Sequence, residues 1–97
     1  MLRITTDENS EALTLRLEGR LYGPWVAVLG EVWKSAMAGS HGRRLRVDLN
    51  GVTFVDPAGK VRLAEMHAQG SEMRGEGLET KALVAEIVRE SSRGANG

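Results

Sequence analysis

Two short runs of strict alternation constrain this chain more than any other feature. Leu13, Leu15 and Leu17 are interleaved with Thr14, Arg16 and Glu18, and Leu45, Val47 and Leu49 with Arg46, Asp48 and Asn50. Successive side chains of a strand point to opposite faces, so each run describes a strand with one apolar and one polar face. Strands covered on both faces read as continuous apolar runs instead. The pattern therefore implies a sheet with helices on one face and the other face open. Leu2 and Ile4 give a shorter version of the same period.

The helical segments are marked by a different period. From Pro24 to Ala38, the residues Trp25, Val28, Leu29, Val32, Trp33 and Ala36 form one apolar stripe. Pro24 suits the first helical position, Gly39 supplies a stop, and Ser40–Arg44 reads as a polar loop. A second helix is expected from Asp56-Pro57-Ala58-Gly59 to about Gln69, capped by Asp56 and closed by Gly70 in a left-handed conformation. A third spans Lys81 to Glu90, with Thr80 as its cap and Leu83, Val84, Ile87 and Val88 on one face. The stretch from Ser71 to Glu79 admits two readings. One is a short edge strand at Glu72-Met73-Arg74, within residues 72–76. The other carries the second helix through Met73 and places a strand at residues 78–83. Either way the order is strand, strand, helix, strand, helix, strand, helix. Residues 1–90 read as a single domain. Residues 91–97, Ser-Ser-Arg-Gly-Ala-Asn-Gly, have nothing to bury and read as a disordered tail. The leucines of the two alternating strands are expected to be buried together with Val28, Leu29, Val32 and Leu63.

Composition then removes whole classes of function. A chain of 97 residues buries roughly 60–70% of its unfolded surface, enough for one core without a staple. With no cysteine there is no disulfide framework, thiolate metal site or thiol catalysis. Thirteen basic and thirteen acidic residues give a formal net charge of zero, which argues against nucleic-acid binding. No apolar run approaches the ~18 residues that span a bilayer, and the amino terminus lacks a secretion signal. A small soluble cytoplasmic domain is the expectation. His41 and His67 have no ligand spacing around them, so no metal is expected. Arg43, Arg44 and Arg46, with Arg20 and Lys60 elsewhere, read as solvated surface. No nucleophile elbow, phosphate loop or dinucleotide fingerprint is present, so neither catalysis nor a cofactor is expected.

The element order, together with Val47-Asp48-Leu49-Asn50-Gly51-Val52-Thr53-Phe54-Val55-Asp56-Pro57-Ala58-Gly59, resembles the STAS domain family of sulphate transporters and anti-sigma-factor antagonists. Leu17-Glu18-Gly19-Arg20-Leu21 is similar to that family's strand-end Gly-x-Leu, and the resemblance runs from about Leu13 to Ile87. It implies an α/β fold with a mixed four- to five-stranded sheet and helices packed on one face, the architecture that the alternation already suggests. It also implies a serine or threonine directly after the Asp, phosphorylated by a partner kinase in the anti-sigma-factor antagonists. Pro57 stands there and Ala58 follows, so neither position carries a hydroxyl. Tyr22 takes the place of the acidic residue that many members carry after Gly-x-Leu.

A non-catalytic protein-interaction module without the usual phospho-switch is therefore the expectation. Its partner would be an anti-sigma factor, a kinase-like regulator or another signalling protein. The binding surface is expected to combine Tyr22 and Trp25 with Asp56, Pro57, Ala58, Gly59 and Lys60, and with the exposed side of the second helix at Arg62, Glu65 and Gln69. Asp56 also has the plainer role of helix cap, which is compatible with presenting the loop. Two alternatives stay open: a soluble subunit of a membrane transporter, and a small nucleotide-binding domain using the helix start at Gly59-Lys60. A homodimer is open as well.

Overall fold

The computed structural model describes the backbone of residues 1–95 and side chains through Ser92. Its elements are β1 (Leu2–Glu8), β2 (Ala12–Leu21), α1 (Pro24–Ala38), β3 (Arg44–Val55), α2 (Pro57–Ala68), β4 (Glu72–Arg74) and α3 (Leu78–Ala95). The sheet has four strands in the order β1-β2-β3-β4. β1 runs antiparallel to β2, and β2 with β3 and β3 with β4 run parallel. The alternating runs sit side by side in the central pair, with Leu13 opposite Leu45 and Leu15 opposite Val47. Leu13, Leu15, Leu17, Leu45, Val47 and Leu49 are all buried, in one cluster with Leu29 of α1, Leu63 and Met66 of α2 and Ile87 of α3. Several outward residues of the same strands form ion pairs instead: Arg16 with Asp7 and Asp48, and Arg46 with Glu72. One sheet face is covered and the other open, as the period-two pattern requires.

Local signals account for most helix boundaries. Pro24 and Pro57 occupy the helix starts, where their missing N–H has no intrahelical partner to lose. α2 closes in a Schellman arrangement, with Ser71 N–H donating to Met66 O and Gly70 N–H to His67 O, and Gly70 at φ 103°. β4 lies at Glu72–Arg74, and residues 78–83 are helical, which settles the two readings of that stretch.

Three expectations need correction. Val28 is 42% exposed, and the buried line of α1 is Leu29, Gly30 and Trp33, with Val26 packed beside it. The helix is rotated because Gly30, invisible to an apolar count, receives the Arg62 guanidinium of α2. A Cβ there would lie 3.1 Å from Arg62 Cζ. α3 begins at Leu78 rather than Lys81, so Thr80 is inside the helix and not its cap. It also continues to Ala95, through most of the segment read as a tail. Ser91 is buried, donating to Val88 O and lying 2.7 Å from His67 Nδ1, so a hydrogen bond to α2 replaces the apolar burial that this segment lacks. Asn96 and Gly97 of that expected tail lie outside the described residues.

Trp33 was expected in the core and is there, its Nε1–H donating to the buried Ser71 hydroxyl at 2.9 Å. Leu15 is fully buried at the centre of the covered face. Leu15→Ala is expected to lower unfolding free energy by about 2–5 kcal/mol, as large-to-small core substitutions do. Urea denaturation of both proteins measures this, and a loss under about 1 kcal/mol would contradict the register.

Candidate functional site

β2 and β3 end together, with Leu21 opposite Val55, so the chain leaves both strands at the same edge of the sheet. Two loops emerge there, Tyr22-Gly23 leading into α1 and Asp56 leading into α2. One carboxylate joins them. Asp56 Oδ1 accepts from Gly59 N–H at 2.7 Å and caps α2, while Oδ2 accepts from Gly23 N–H at 3.0 Å. The Asp56 N–H in turn donates to Leu21 O at 3.0 Å. Tyr22 and Gly23 carbonyls accept from Trp25 and Val26 N–H, completing the first turn of α1.

Steric fit holds the helix start against the sheet. A Cβ on Gly59 would stand 2.9 Å from Val55 Cγ1 and 3.0 Å from Leu21 Cγ, so only glycine lets α2 approach so closely. Upstream, a Cβ on Gly51 would meet Glu18 Cγ at 2.8 Å and Leu17 O at 3.0 Å. Gly51 pairs with Glu18 where the β2–β3 register shifts, between Arg16 and Glu18. A second shift between Gly19 and Arg20 brings Arg20 opposite Phe54. Such irregularities bend strands and re-aim side chains.

The expected site residues are divided by this geometry. Tyr22, Pro57 and Ala58 are exposed and belong to the two joined loops. Gly59 is buried beneath them, and Asp56 is partly buried as the tie. Trp25 is partly buried and packs against the core. Lys60 Nζ pairs with Glu86 of α3 at 2.9 Å, closing the far side. Arg62 stands apart from the loops. Its guanidinium lies over Gly30 of α1, pairs with Glu65 at 3.0 Å, and has its Nε buried without a hydrogen-bond partner.

Two residues that the sequence did not single out for the site join it. Arg20 Cζ lies 5.1 Å from the Phe54 ring centre and 5.7 Å from that of Tyr22. Outward alternation places Arg20 and Phe54 on the open face, but only the shifted register makes them neighbours.

Pro57 has no N–H, Gly59 N–H is taken by the Asp56 side chain and Lys60 N–H by the Asp56 carbonyl, which leaves Ala58 alone among the first donors of α2. That is a poor cradle for a phosphate, which needs several converging N–H groups. Among the described residues, no three His, Asp or Glu side chains converge to hold a metal ion. A His–Ser pair among the described residues, His67 with Ser91, joins α2 to α3. The Ser91 hydroxyl lies 2.7 Å from His67 Nδ1 and donates to Val88 O. Arg43, from the basic cluster, bonds to the Asn9, Gly39 and Ser40 carbonyls and to Glu8, fixing the loop before β3. No helix among the described residues is long and apolar enough to cross a membrane.

Solved structures resemble this fold. An uncharacterised Shewanella loihica protein with a SpoIIAA-like fold matches at a TM-score of 0.58 and 12% identity, over 84% of this chain and 71% of its own. A STAS domain antisigma-factor antagonist from Rhodobacter sphaeroides matches at 0.55 and 17% identity, over 81% of this chain and 89% of its own. The fold is STAS-like. A third match, to the protein Mglu, has a TM-score of 0.60 and 19% identity, covering 77% of this chain and 19% of Mglu. This chain therefore spans about a fifth of Mglu's length. No family model and no curated protein matches the chain. In the STAS-like frame the Asp56 loop lies within the Val47 to Gly59 segment that carries the resemblance.

The double tie at Asp56 makes a graded prediction. Asp56→Ala removes the acceptors of two N–H groups and is expected to cost about 2 kcal/mol, more than the ~1 kcal/mol of a lone cap. Asp56→Asn keeps the cap to Gly59 but turns its NH₂ toward Gly23 N–H, and is expected to cost about half as much. Thermal or urea unfolding of both variants checks the order; Asp56→Asn as stable as wild type would mean that the Gly23 tie contributes nothing, and losses equal to Asp56→Ala that the Gly59 cap contributes nothing.

Proposed function

We propose that this chain is a non-catalytic interaction module of STAS type, binding a signalling partner through the Asp56 loop and the helix at residues 56–69. The observation that carries this reading is the rigid, uncharged lip formed by Tyr22, Pro57 and Ala58 on the Asp56 tie. The structural neighbour named as an antisigma-factor antagonist supports a protein partner, and an anti-sigma factor or kinase-like regulator is the kind proposed. The proposed setting is the cytoplasm.

The resemblance places a phosphorylatable hydroxyl at Pro57, where phosphate would add nearly two negative charges at the helix start and alter the contact. With proline there, the loop has no conditional state. A locked φ and a doubly bonded Asp56 reduce the ordering entropy lost on binding, so the complex is constitutive.

Two experiments test this. The chain is immobilised and the proteins it retains from a cell extract are quantified for wild type, Ala58→Glu and Arg16→Gln. Ala58→Glu places a charge on the lip and is expected to weaken retention of the partner by more than about 1 kcal/mol, roughly fivefold. Folding should change little, because an exposed carboxylate in a first helical turn is favourable. Arg16→Gln removes only exposed ion pairs on the open sheet face and should retain the partner. Equal retention by Ala58→Glu would remove the Asp56 loop from the interface. In the second experiment, incubation with extract and ATP should leave the mass of the peptide spanning Asp56 to Gly59 unchanged. Phosphate on nearby Thr53, whose hydroxyl donates to Gly19 O at 3.2 Å, would restore a switch and contradict constitutive binding.

A further inference from the structure

Arg20 is treated differently from the other strand arginines of the open sheet face that have partners. Arg16 is paired with Asp7 and Asp48, and Arg46 with Glu72. Arg20 forms no ion pair among the described residues; its contacts are the rings of Phe54 and Tyr22, at 5.1 and 5.7 Å. Glu18, two residues away on the same strand, lies opposite Arg3 across the β1–β2 ladder. Both rings are well exposed, Phe54 at 44% and Tyr22 at 39%. Ring contact favours the cation through the aromatic quadrupole but leaves the in-plane N–H donors of the guanidinium unused. Contact with two rings also limits the side chain in advance, so less rotamer freedom is lost when an acceptor arrives.

We propose that Arg20, framed by Phe54 and Tyr22, is the receptor for an Asp or Glu side chain of the protein partner. This rests on the interaction reading above and specifies its chemistry. An uncompensated guanidinium between exposed aromatic rings has the composition of an interface hot spot, and a carboxylate matches its donor fork with two parallel hydrogen bonds. The receptor is continuous with the lip, since Tyr22 adjoins Gly23, which Asp56 holds. A phosphate group is disfavoured because the first N–H groups of α2 are already taken. An anionic membrane surface is disfavoured because it recruits clusters of Lys and Arg, whereas Lys60 is committed to Glu86. The partner segment therefore carries an acidic residue flanked by apolar side chains that cover the two rings.

The test uses peptides, because the partner is unidentified. A random dodecapeptide display library is selected on the wild-type chain, and enriched peptides are synthesised and titrated by fluorescence polarisation against wild type, Arg20→Ala, Arg20→Lys, Phe54→Leu and Ala58→Glu. All four substitutions are at exposed positions, and circular-dichroism melts verify each fold. The expected peptides share an acidic position and lose about tenfold or more in affinity with Arg20→Ala. Arg20→Lys and Phe54→Leu should fall between, since the first keeps the charge without the fork and the second keeps the fork without one ring. Replacing the peptide's acid by its amide should cost as much on wild type, and almost nothing further on Arg20→Ala. An amide penalty that persists on Arg20→Ala, or peptides with no acidic position, would overturn the proposal. Peptides weakened by Ala58→Glu but indifferent to Arg20→Ala would leave the interaction module standing and remove only the acidic anchor. No enrichment over bare support would count against both. Arg20-dependent binding to phosphatidylserine vesicles without acidic peptides would assign the cation to a membrane and also overturn the proposal.

Discussion

β2 and β3 run parallel from Leu13 opposite Leu45 to Leu21 opposite Val55, and the remainder of the molecule is arranged around that pairing. Parallel strands cannot be joined by a tight turn, so α1 must cross between them. Both strands then release the chain at one edge, and the starts of α1 and α2 become neighbours. That proximity lets one Asp56 carboxylate accept from Gly23 and Gly59 together. A loop pair held this way needs no ligand to order it. The same pairing brings Arg20 beside Phe54, so the tie and the aromatic-framed cation follow from a single ladder.

The two sheet faces are stabilised by different physics. Burial of Leu13, Leu15, Leu17, Leu45, Val47 and Leu49 against the helices supplies the hydrophobic term, which is roughly proportional to the apolar area removed from water. The ion pairs of Arg16 and Arg46 on the other face are exposed or half-exposed, and each such pair contributes about 0–1 kcal/mol. Their effect is to leave the open face polar while adding little to stability. Arg20 and Phe54 depart from that pattern at one end of the face, where a cation without an ion pair among the described residues meets an exposed ring.

Rigidity at the lip has a functional consequence. Proline at the two helix starts, glycine packed against Val55 and Leu21, and a capping carboxylate with two acceptors all limit the conformations open to the loops. A switch requires two states separated by a few kcal/mol, with a modification that favours one of them. Here Pro57, the close packing of Gly59 and the Asp56 tie narrow the arrangements open to the backbone, and Pro57 and Ala58 offer no hydroxyl to modify. Constitutive binding follows from that combination on the proposed reading.

Period-two alternation, helix caps and the closing Gly70 are legible in the sequence because each is a local rule, complete within a few residues. They specify the one-sided sheet, the boundaries of α1, the start and end of α2, and Asp56 as a cap. The short β4 is less legible, because three residues carry little periodicity. The exposure of Val28 and the position of Arg62 are not legible, since both depend on Gly30 accepting a guanidinium from another helix. The continuation of α3 through Ser91 depends on His67, twenty-four residues away. The second bond of Asp56 to Gly23 and the contact of Arg20 with the Phe54 ring are likewise decided by tertiary structure. Each joins residues more than thirty apart, across a register that two local shifts have moved. Local periodicity determines which face of a strand a side chain occupies; only the packed sheet determines which side chain stands next to it.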